Sequence, residues 1–378
     1  MRRRILLTGG GSGGHVYPLL AVAHSLQKLA AQYALDLELH YLGPADRYEE
    51  LFQNEGIRTG TLVAAKVRRY ASFANIVDIP KFFIGFLQAL WKLFWLMPDV
   101  IFSKGGTGAL PVVLAGWFYH IPIIIHDSDS IPGATNLVSG RFAKRIAVGF
   151  ENALQYFNRR KAAVTGNPVR EDLLTNPIES ALAKEELGFD PAQPLILILG
   201  GSLGAQRINE FILLSLKDLV GLTQVLHQTG VANLAEVEKL ARAVLIDVPL
   251  QAEVKSRYKA APYFEADYKR ALSAADLIVA RAGASTIFET AAFGKPAILI
   301  PLSDSANDHQ RTNAYEFAKT GAAIVIEEAN LMPGIFLNQL RTILNDKPLM
   351  EKMSGASRNF YKPNAADVIA EEVVRLAQ

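Results

Sequence analysis

Short apolar runs alternate with amphipathic stretches along the whole chain. RILLT (4–8), LELHYL (37–42), VIF (100–102), IPIII (121–125), RIAV (145–148), LILIL (195–199), LIVA (277–280), AILI (297–300) and AIVI (323–326) each have the length of a strand, with helical patterns between many of them. Strands alternating with helices predict parallel sheets covered by helices on both faces, an α/β class. The grammar occurs twice. RILLTGGGSGGHVYP and LILILGGSLGAQRIN each pass from a buried strand through a glycine turn into a helix start, the second about 190 residues after the first. Between them TGNPVREDL (165–173) is punctuated by Gly, Asn and Pro. The predicted organisation is a Rossmann-like domain over 1–168, a second over 169–355, and a C-terminal helix in 356–378 that packs back on the first. Two such parallel-sheet domains would face a central cleft, with ligands beyond the carboxyl ends of the strands.

One segment departs from this rhythm. In IVDIPKFFIGFLQALWKLFWLMP (76–98), Phe83, Phe86, Leu87, Leu90, Phe94 and Met97 share one helical face, while Ile84, Trp91 and Trp95 lie elsewhere, so the helix is apolar nearly all round. The run from Lys81 to Pro98 is shorter than the ~20 residues that span a bilayer, and Lys92 interrupts it. It reads either as a core helix with some exposed aromatics or as a helix that dips into a membrane interface. Lys66, Arg68 and Arg69 nearby favour the interface, with Phe82, Phe86, Trp91 and Trp95 as the contacts.

Composition narrows the class. A chain of 378 residues, half of them apolar, predicts a packed protein of two to three domains. The absence of cysteine excludes disulfides and thiolate metal sites, and the seven histidines form no close pair, so no structural metal is expected. The net charge of +2 hides an asymmetry: residues 1–170 carry 19 Lys+Arg against 11 Asp+Glu, the remainder 20 against 26. The basic half suits phosphate groups or an anionic membrane. No arginine-rich tail or nucleic-acid motif accompanies it, so no nucleic acid is expected. MRRRILLTGG has too short an apolar run for a signal peptide and reads as a first buried strand of a protein that stays in the cytoplasm.

The glycine turns carry the candidate chemistry. Gly9, Gly11 and Gly14 form GxGxxG, whose backbone N–H groups at a helix start suit an anion. A dinucleotide site also needs an acidic residue at the end of the second strand, and Asp46 falls beyond Gly43 and Pro44, which disfavours an oxidoreductase. Gly200, Gly201 and Ser202 form a second phosphate-type loop. In ARAGASTIFETAAFGKPAI (280–298), Thr286 and Glu289 are either a helix cap or contacts to a phosphate and a ribose. IHDSDSIPGATN (125–136) offers Asp127 and Asp129 as carboxylates for Mg²⁺ or Mn²⁺, and Asn136 as a sugar contact or a helix cap.

Taken together and in order, GGSGGHVYPLLAVA, YLGPADRYE, KGGTGALPVVLAGW, HDSDSIPGATN, TGNPVR, LGGSLGAQRIN, HQTG, AADLIVARAGASTIFETAAFGKPAILIPL and DHQRTNA resemble the MurG family of glycosyltransferase family 28, peptidoglycan N-acetylglucosaminyltransferases with a GT-B fold. The resemblance runs from the first glycine loop to residue 314. It implies inverting transfer of GlcNAc from UDP-GlcNAc to the C4 hydroxyl of the MurNAc of lipid I, an undecaprenyl-diphosphate-linked MurNAc-peptide. It implies a peripheral enzyme at the cytoplasmic face of the cell membrane, with no cofactor and no metal, which argues against Asp127 and Asp129 as ligands.

The resemblance also assigns residues. His15 would be the base for the acceptor hydroxyl or a donor-phosphate contact. Ser202 and Thr286 would bind donor phosphate, Arg170 would offset the pyrophosphate, and Glu289 would hold the ribose. Backbone at Phe264 would meet uracil, His309 and Gln310 the GlcNAc hydroxyls, and Asn136 the transferred sugar. Ser12, Gly13 and Gly14 with Gly105, Gly106 and Thr107 would cradle the lipid diphosphate, the first three also bordering the donor. Leu203, Thr107, Gly108 and His309 depart from the commoner family pattern. The alternatives are a transferase for another lipid such as diacylglycerol, or a UDP-GlcNAc epimerase on the same fold.

Overall fold

The computed structural model describes residues 2–44, 48–63, 73–106, 108–200, 205–246, 256–303, 305 and 308–378, with backbone only over 73–78. Asp46, Thr107, Ser202, Gly201 and Leu203, and the basic residues Lys66, Arg68 and Arg69, lie outside them. The chain divides into two compact units, Met1–Asp172 with Lys362–Gln378, and Leu173–Tyr361. The division at 172/173 falls a few residues after the expected one. The second lies at 361/362, so the helix Lys347–Phe360 stays with the second unit and the helix Ala365–Leu376 joins the first.

The first unit holds β1 (Arg3–Thr8), β2 (Leu37–Leu42), β3 (Arg58–Gly60), β4 (Val100–Ser103), β5 (Ile123–Asp127), β6 (Arg145–Val148) and β7 (Ala162–Val164). They form one sheet in the order β3-β2-β1-β4-β5-β6-β7, every pairing parallel. Ile5, Leu6, Leu7, Val100, Ile101 and Phe102 are fully buried, as a parallel sheet covered on both faces requires of its central strands. On one face α1 (Gly13–Tyr33) packs Val16, Leu19, Val22 and Leu26 against the sheet, joined by Ile369, Ala370 and Val373 of the C-terminal helix. On the other lie α2 (Phe73–Leu96), α3 (Ala109–Phe118) and α4 (Ala134–Phe142). Strand order reverses between β1 and β4, which pair as far as Thr8 and Ser103, so the loops that follow them leave adjacent strand ends and open a crevice there.

The second unit repeats the plan with β8 (Leu195–Leu199), β9 (Gln224–Gln228), β10 (Tyr258–Ala261), β11 (Leu277–Ala280), β12 (Ala297–Leu299) and β13 (Ala323–Val325). The order is β10-β9-β8-β11-β12-β13, again all parallel. Its reversal falls between β8 and β11, where the second glycine loop and the ARAG segment leave the sheet. Its helices include α5 (Gln206–Leu222), α6 (Ala284–Ala292) and α7 (His309–Ala318). Strands β3, β7, β9 and β10 were not among the expected runs.

Candidate active site

Three loops of the first unit meet at the β1–β4 reversal. The loop after β1 runs through Gly9 and Gly10 to Ser12, which precedes α1 with extended backbone. The Ser12 side chain does not cap the helix; its Oγ lies 2.7 Å from Nδ1 of His15. The first amides of a helix have no intrahelical acceptor, so Gly13 and Gly14 present N–H groups at its positive end. The loop after β4 brings Gly106 (φ +84) against Gly10: a Cβ added to Gly106 would lie 2.9 Å from the Gly10 backbone and 2.9 Å from His15 Nε2. Only glycine lets the two loops close on the imidazole. The ring is half-buried, and burial, helped by the Lys104 ammonium and opposed by Asp129, pushes it down to about 4. At neutral pH it is uncharged, with one nitrogen bound to Ser12 and the other facing Gly106.

Beneath the imidazole lies a buried polar network. Lys104, 3% exposed, donates to the Ser128 hydroxyl, which donates in turn to Asn167 Oδ1 at 2.6 Å. Asp127 accepts from the N–H groups of Asp129 (3.0 Å) and Gly133 (3.1 Å) and from Asn136 Nδ2 (2.9 Å). Burial and the neighbouring Asp129 push its carboxyl up to about 6. Its oxygens face internal donors, which suits a loop brace better than a cation ligand. Asn136 needs correction on one expected role, the helix cap. Gly133, not Asn136, precedes α4 as its cap. Asn136 is 4% exposed and its amide nitrogen is bonded to Asp127 and to the His126 carbonyl. Its Oδ1 finds no partner among the described residues and sits 2.4 Å from where a Cβ on Gly105 (φ +77) would lie. Asn136 therefore shapes the β4 loop from below.

The TGNPVR segment is tied to the same network through His126 Nε2, which donates to the Gly166 carbonyl at 2.9 Å, and through Asn167. It delivers Arg170 to α1. The guanidinium stacks 4.3 Å over the Tyr17 ring, Tyr17 meets Tyr48 edge-on at 6.1 Å, and the buried Nε of Arg170 has no partner among the described residues. Its Nη1 lies 3.7 Å from an Asp172 carboxylate oxygen, and the stack on Tyr17 fixes the plane of the guanidinium.

In the second unit Phe264, Thr286, Glu289, His309 and Gln310 lie on the segments that follow β10, β11 and β12. Gly283 precedes α6 with no side-chain cap, placing Thr286 third and Glu289 sixth in the helix, which removes the Thr–Glu cap. Glu289 instead accepts from the Tyr268 hydroxyl at 2.7 Å, which fixes the carboxylate. The Phe264 N–H meets Gln228 Oε1 at 3.4 Å, a long contact. His309 and Gln310 open α7, and Gln310 Oε1 accepts from the Leu302 N–H at 3.1 Å. Arg281, unremarked in the sequence, pairs with buried Glu328 at 2.5 Å, and Ser303 Oγ donates to the same carboxylate at 2.6 Å. That cluster ties together the loops after β11, β12 and β13.

The helix α2 spans 24 residues, beginning well before Lys81, and its Ile79–Leu96 stretch is long and apolar enough to cross a membrane by length and composition. It is nevertheless docked on the unit. Ala89 and Leu93 are fully buried, Gln88 Oε1 accepts from the Val63 N–H, and Lys92 donates to the Thr61 carbonyl. Phe86 and Leu90 pack against the core, so the face expected to unite Phe83, Phe86 and Leu90 is divided. Phe86 is a packing residue and Phe82 is half-buried. The outward ridge is Phe83, Leu87, Trp91 (65% exposed), Phe94 and Trp95 (68%), beside Trp117 and Phe118 of α3.

Lys104, Tyr17, Tyr268 and Arg281 escaped the sequence reading. Only Lys104 carried a local signal: a lysine between a buried strand and a Gly-Gly pair has no solvent to point into.

Comparison with known proteins agrees with this fold. The glycosyltransferase family 28 N-terminal domain matches residues 5–148 and its C-terminal domain residues 195–371. The chain is 36% identical over 373 residues to a UDP-N-acetylglucosamine–N-acetylmuramyl-(pentapeptide) pyrophosphoryl-undecaprenol N-acetylglucosamine transferase 2 of Bacillus cereus, covering 98% of this chain and 99% of the relative. It is 32% identical over 372 residues to the corresponding transferase of Clostridium tetani, covering 98% of each. The crystal structure of Acinetobacter baumannii MurG is similar with a TM-score of 0.74 and 29% identity over 99% of both chains. A UDP-GlcNAc 2-epimerase from Neisseria meningitidis has a TM-score of 0.69 at 14% identity over 99% of this chain and all of that one, a likeness of fold alone.

Proposed function

This chain belongs to glycosyltransferase family 28, in its MurG branch, and from that premise we propose that it moves GlcNAc from UDP-GlcNAc to the MurNAc C4 hydroxyl of lipid I. The observation that carries the reading is His15. An inverting transfer needs a group to take the hydroxyl proton as the sugar arrives. His15 is uncharged at neutral pH, stands at the strand-order reversal, and has Nε2 turned to the glycine loop after β4. The amides of Gly13 and Gly14, with the loop at Gly105–Gly106, supply donors for a lipid diphosphate.

On the donor side, Glu289 held by Tyr268 suits ribose hydroxyls, Thr286 a phosphate, and the backbone at Phe264 the base. His309 and Gln310 stand at the start of α7 for the sugar, and the guanidinium of Arg170, held by its stack on Tyr17, suits the charge of the departing diphosphate. The aromatic ridge of α2 supports peripheral attachment to an anionic membrane on its cytoplasmic side. A helix held by Ala89, Leu93, Gln88 and Lys92 presents one face to lipid and keeps the other on the protein.

The test supplies radiolabelled UDP-GlcNAc with lipid I, with diacylglycerol, or with no acceptor. Label in a lipid II product is expected. No transfer to lipid I overturns the reading, and conversion of UDP-GlcNAc without acceptor would point to an epimerase.

A further inference from the structure

The buried ammonium of Lys104 has no counterpart in the roles assigned so far. Taking a charge out of water costs several kcal/mol unless it is paired, and a neutral side chain of the same length would fill the position more cheaply. Lys104 sits where its charge bears on His15. Its backbone N–H donates to the Thr8 carbonyl at 2.8 Å, locking the ends of β4 and β1 together. A Cβ added to Gly9 would lie 3.4 Å from Lys104 Cβ and 3.7 Å from His15 Cβ, so one glycine separates the two side-chain stems. The lysine then turns down to Ser128 and the imidazole up to Ser12.

We propose that Lys104 is a positioning residue of the transfer reaction: its buried ammonium, set against Asp129, adds to burial in setting the electrostatic environment of the His15 ring, and its bond to Ser128 pins the loop after β4 to the loop after β5. The proposal rests on the reading of His15 as the base. A neighbouring cation disfavours a second positive charge on the ring and adds to the larger effect of burial. Burial lowers Lys104 to about 8, with Asp127 and Asp129 opposing, so near pH 7 the lysine keeps its proton and the histidine yields. The charged groups that face the ring are Lys104 from the β4 loop and Asp129 from the β5 loop; Asp127 acts on the lysine, Arg170 stands over Tyr17 farther along α1, and residues 13–23 of α1 carry no charge. A ring with so low a proton affinity is a weak base. An arriving diphosphate would oppose the lysine's field and raise that affinity only once the acceptor is in place.

The experiment follows the His15 ring by NMR across pH, its signal assigned by loss in His15→Gln. Lys104→Met is expected to raise the ring's midpoint by about one unit and, through loss of the bond to Ser128, to lower kcat/KM across the pH range, with a further loss of about tenfold on the acid side. Lys104→Arg should keep the midpoint near that of the wild type. Asp129→Asn should shift it downward, and this opposite sign carries the test if Lys104→Met does not fold. An unchanged midpoint in a folded Lys104→Met, or an upward shift in Asp129→Asn, overturns the proposal. Wild-type turnover by His15→Gln would instead sink the base reading, while the ring titration still reports on Lys104.

Discussion

Ser12 Oγ and His15 Nδ1 stand 2.7 Å apart, three residues along the entrance of α1. The pair decides what the imidazole can do. If Nδ1–H donates to Ser12, Nε2 keeps its lone pair and can take a proton; if Ser12 donates, Nε2 carries the hydrogen and can only bind a phosphate. The proposed reaction requires the first arrangement. Ser12→Ala removes the acceptor that favours it and is expected to lower kcat by about tenfold with little change in the KM for UDP-GlcNAc, while Ser12→Thr retains most activity. Steady-state kinetics on the three proteins checks this; a change confined to KM would make His15 a binder.

Gly106 gives a second prediction. A methyl there meets the Gly10 backbone and the ring of His15, both at 2.9 Å, on a residue whose φ of +84 already disfavours a side chain. Gly106→Ala should cost about a hundredfold in kcat/KM, since displacement of a reacting group by about an ångström has effects of that size. The far-UV spectrum should stay native, because the change is confined to a loop. Near wild-type turnover would show that the β4 loop does not border the reacting groups.

The ring beneath Arg170 can be tested apart from the charge above it. Tyr17→Leu removes the stacking surface, worth about 0.5–2 kcal/mol, and should raise the KM for UDP-GlcNAc about threefold to tenfold. Tyr17→Phe keeps the ring and should behave as wild type. Equal losses in both variants would mean that the hydroxyl, rather than the stack, matters.

Trp91 and Trp95 contact each other with ring centres 5.8 Å apart and both face outward. Replacing both with Ala should reduce co-sedimentation with anionic vesicles by about tenfold, while transfer to a detergent-soluble acceptor is preserved. Phe86→Ala should instead lower thermal stability, because Phe86 packs into the core. Unchanged vesicle binding in the double variant would reduce the ridge to solvent-exposed apolar surface.

These cases show which parts of the molecule were legible in the sequence. Both sheets announced themselves through central strands such as β1 and β8, because a parallel strand buried on two faces must be apolar throughout. Strand β9 escaped because QVLHQ buries two glutamines and a histidine, whose partners lie far away in sequence: Gln224 bonds the Asp190 carbonyl and His227 bonds Asn209. Strands β3 (RTG) and β7 (AAV) have three residues each and lack the large apolar run that marks the equally short edge strand β13. The glycine loops were legible because their composition is their mechanism. The inward bond of Asn136 was hidden for the converse reason. The sequence cannot show that its amide nitrogen meets Asp127. The split face of α2 was equally hidden, since an all-apolar helix does not disclose which side meets protein.

His227 supplies the last prediction, on stability rather than catalysis. It is buried in β9 between the Tyr258 hydroxyl (2.9 Å from Nδ1) and Asn209 Oδ1 (3.0 Å from Nε2), so both nitrogens are engaged with the ring uncharged. Burial pushes it down to about 3. The unfolded chain regains an ordinary histidine near 6.5. Between these values the unfolded state holds a proton that the folded state refuses. The His227 contribution is therefore complete above about pH 6.5, declines as pH falls, and levels off below about 3. His227→Asn removes the titration. Denaturant unfolding of the second unit at pH 7 and pH 4 should show wild type losing on the order of 3 kcal/mol more than the variant, at about 1.4 kcal/mol per pH unit. His15 and His126, depressed in the same direction, and Asp127, shifted in the other, are common to both proteins and cancel in the comparison. Equal losses between the two pH values would mean that the folded second unit accommodates a protonated His227.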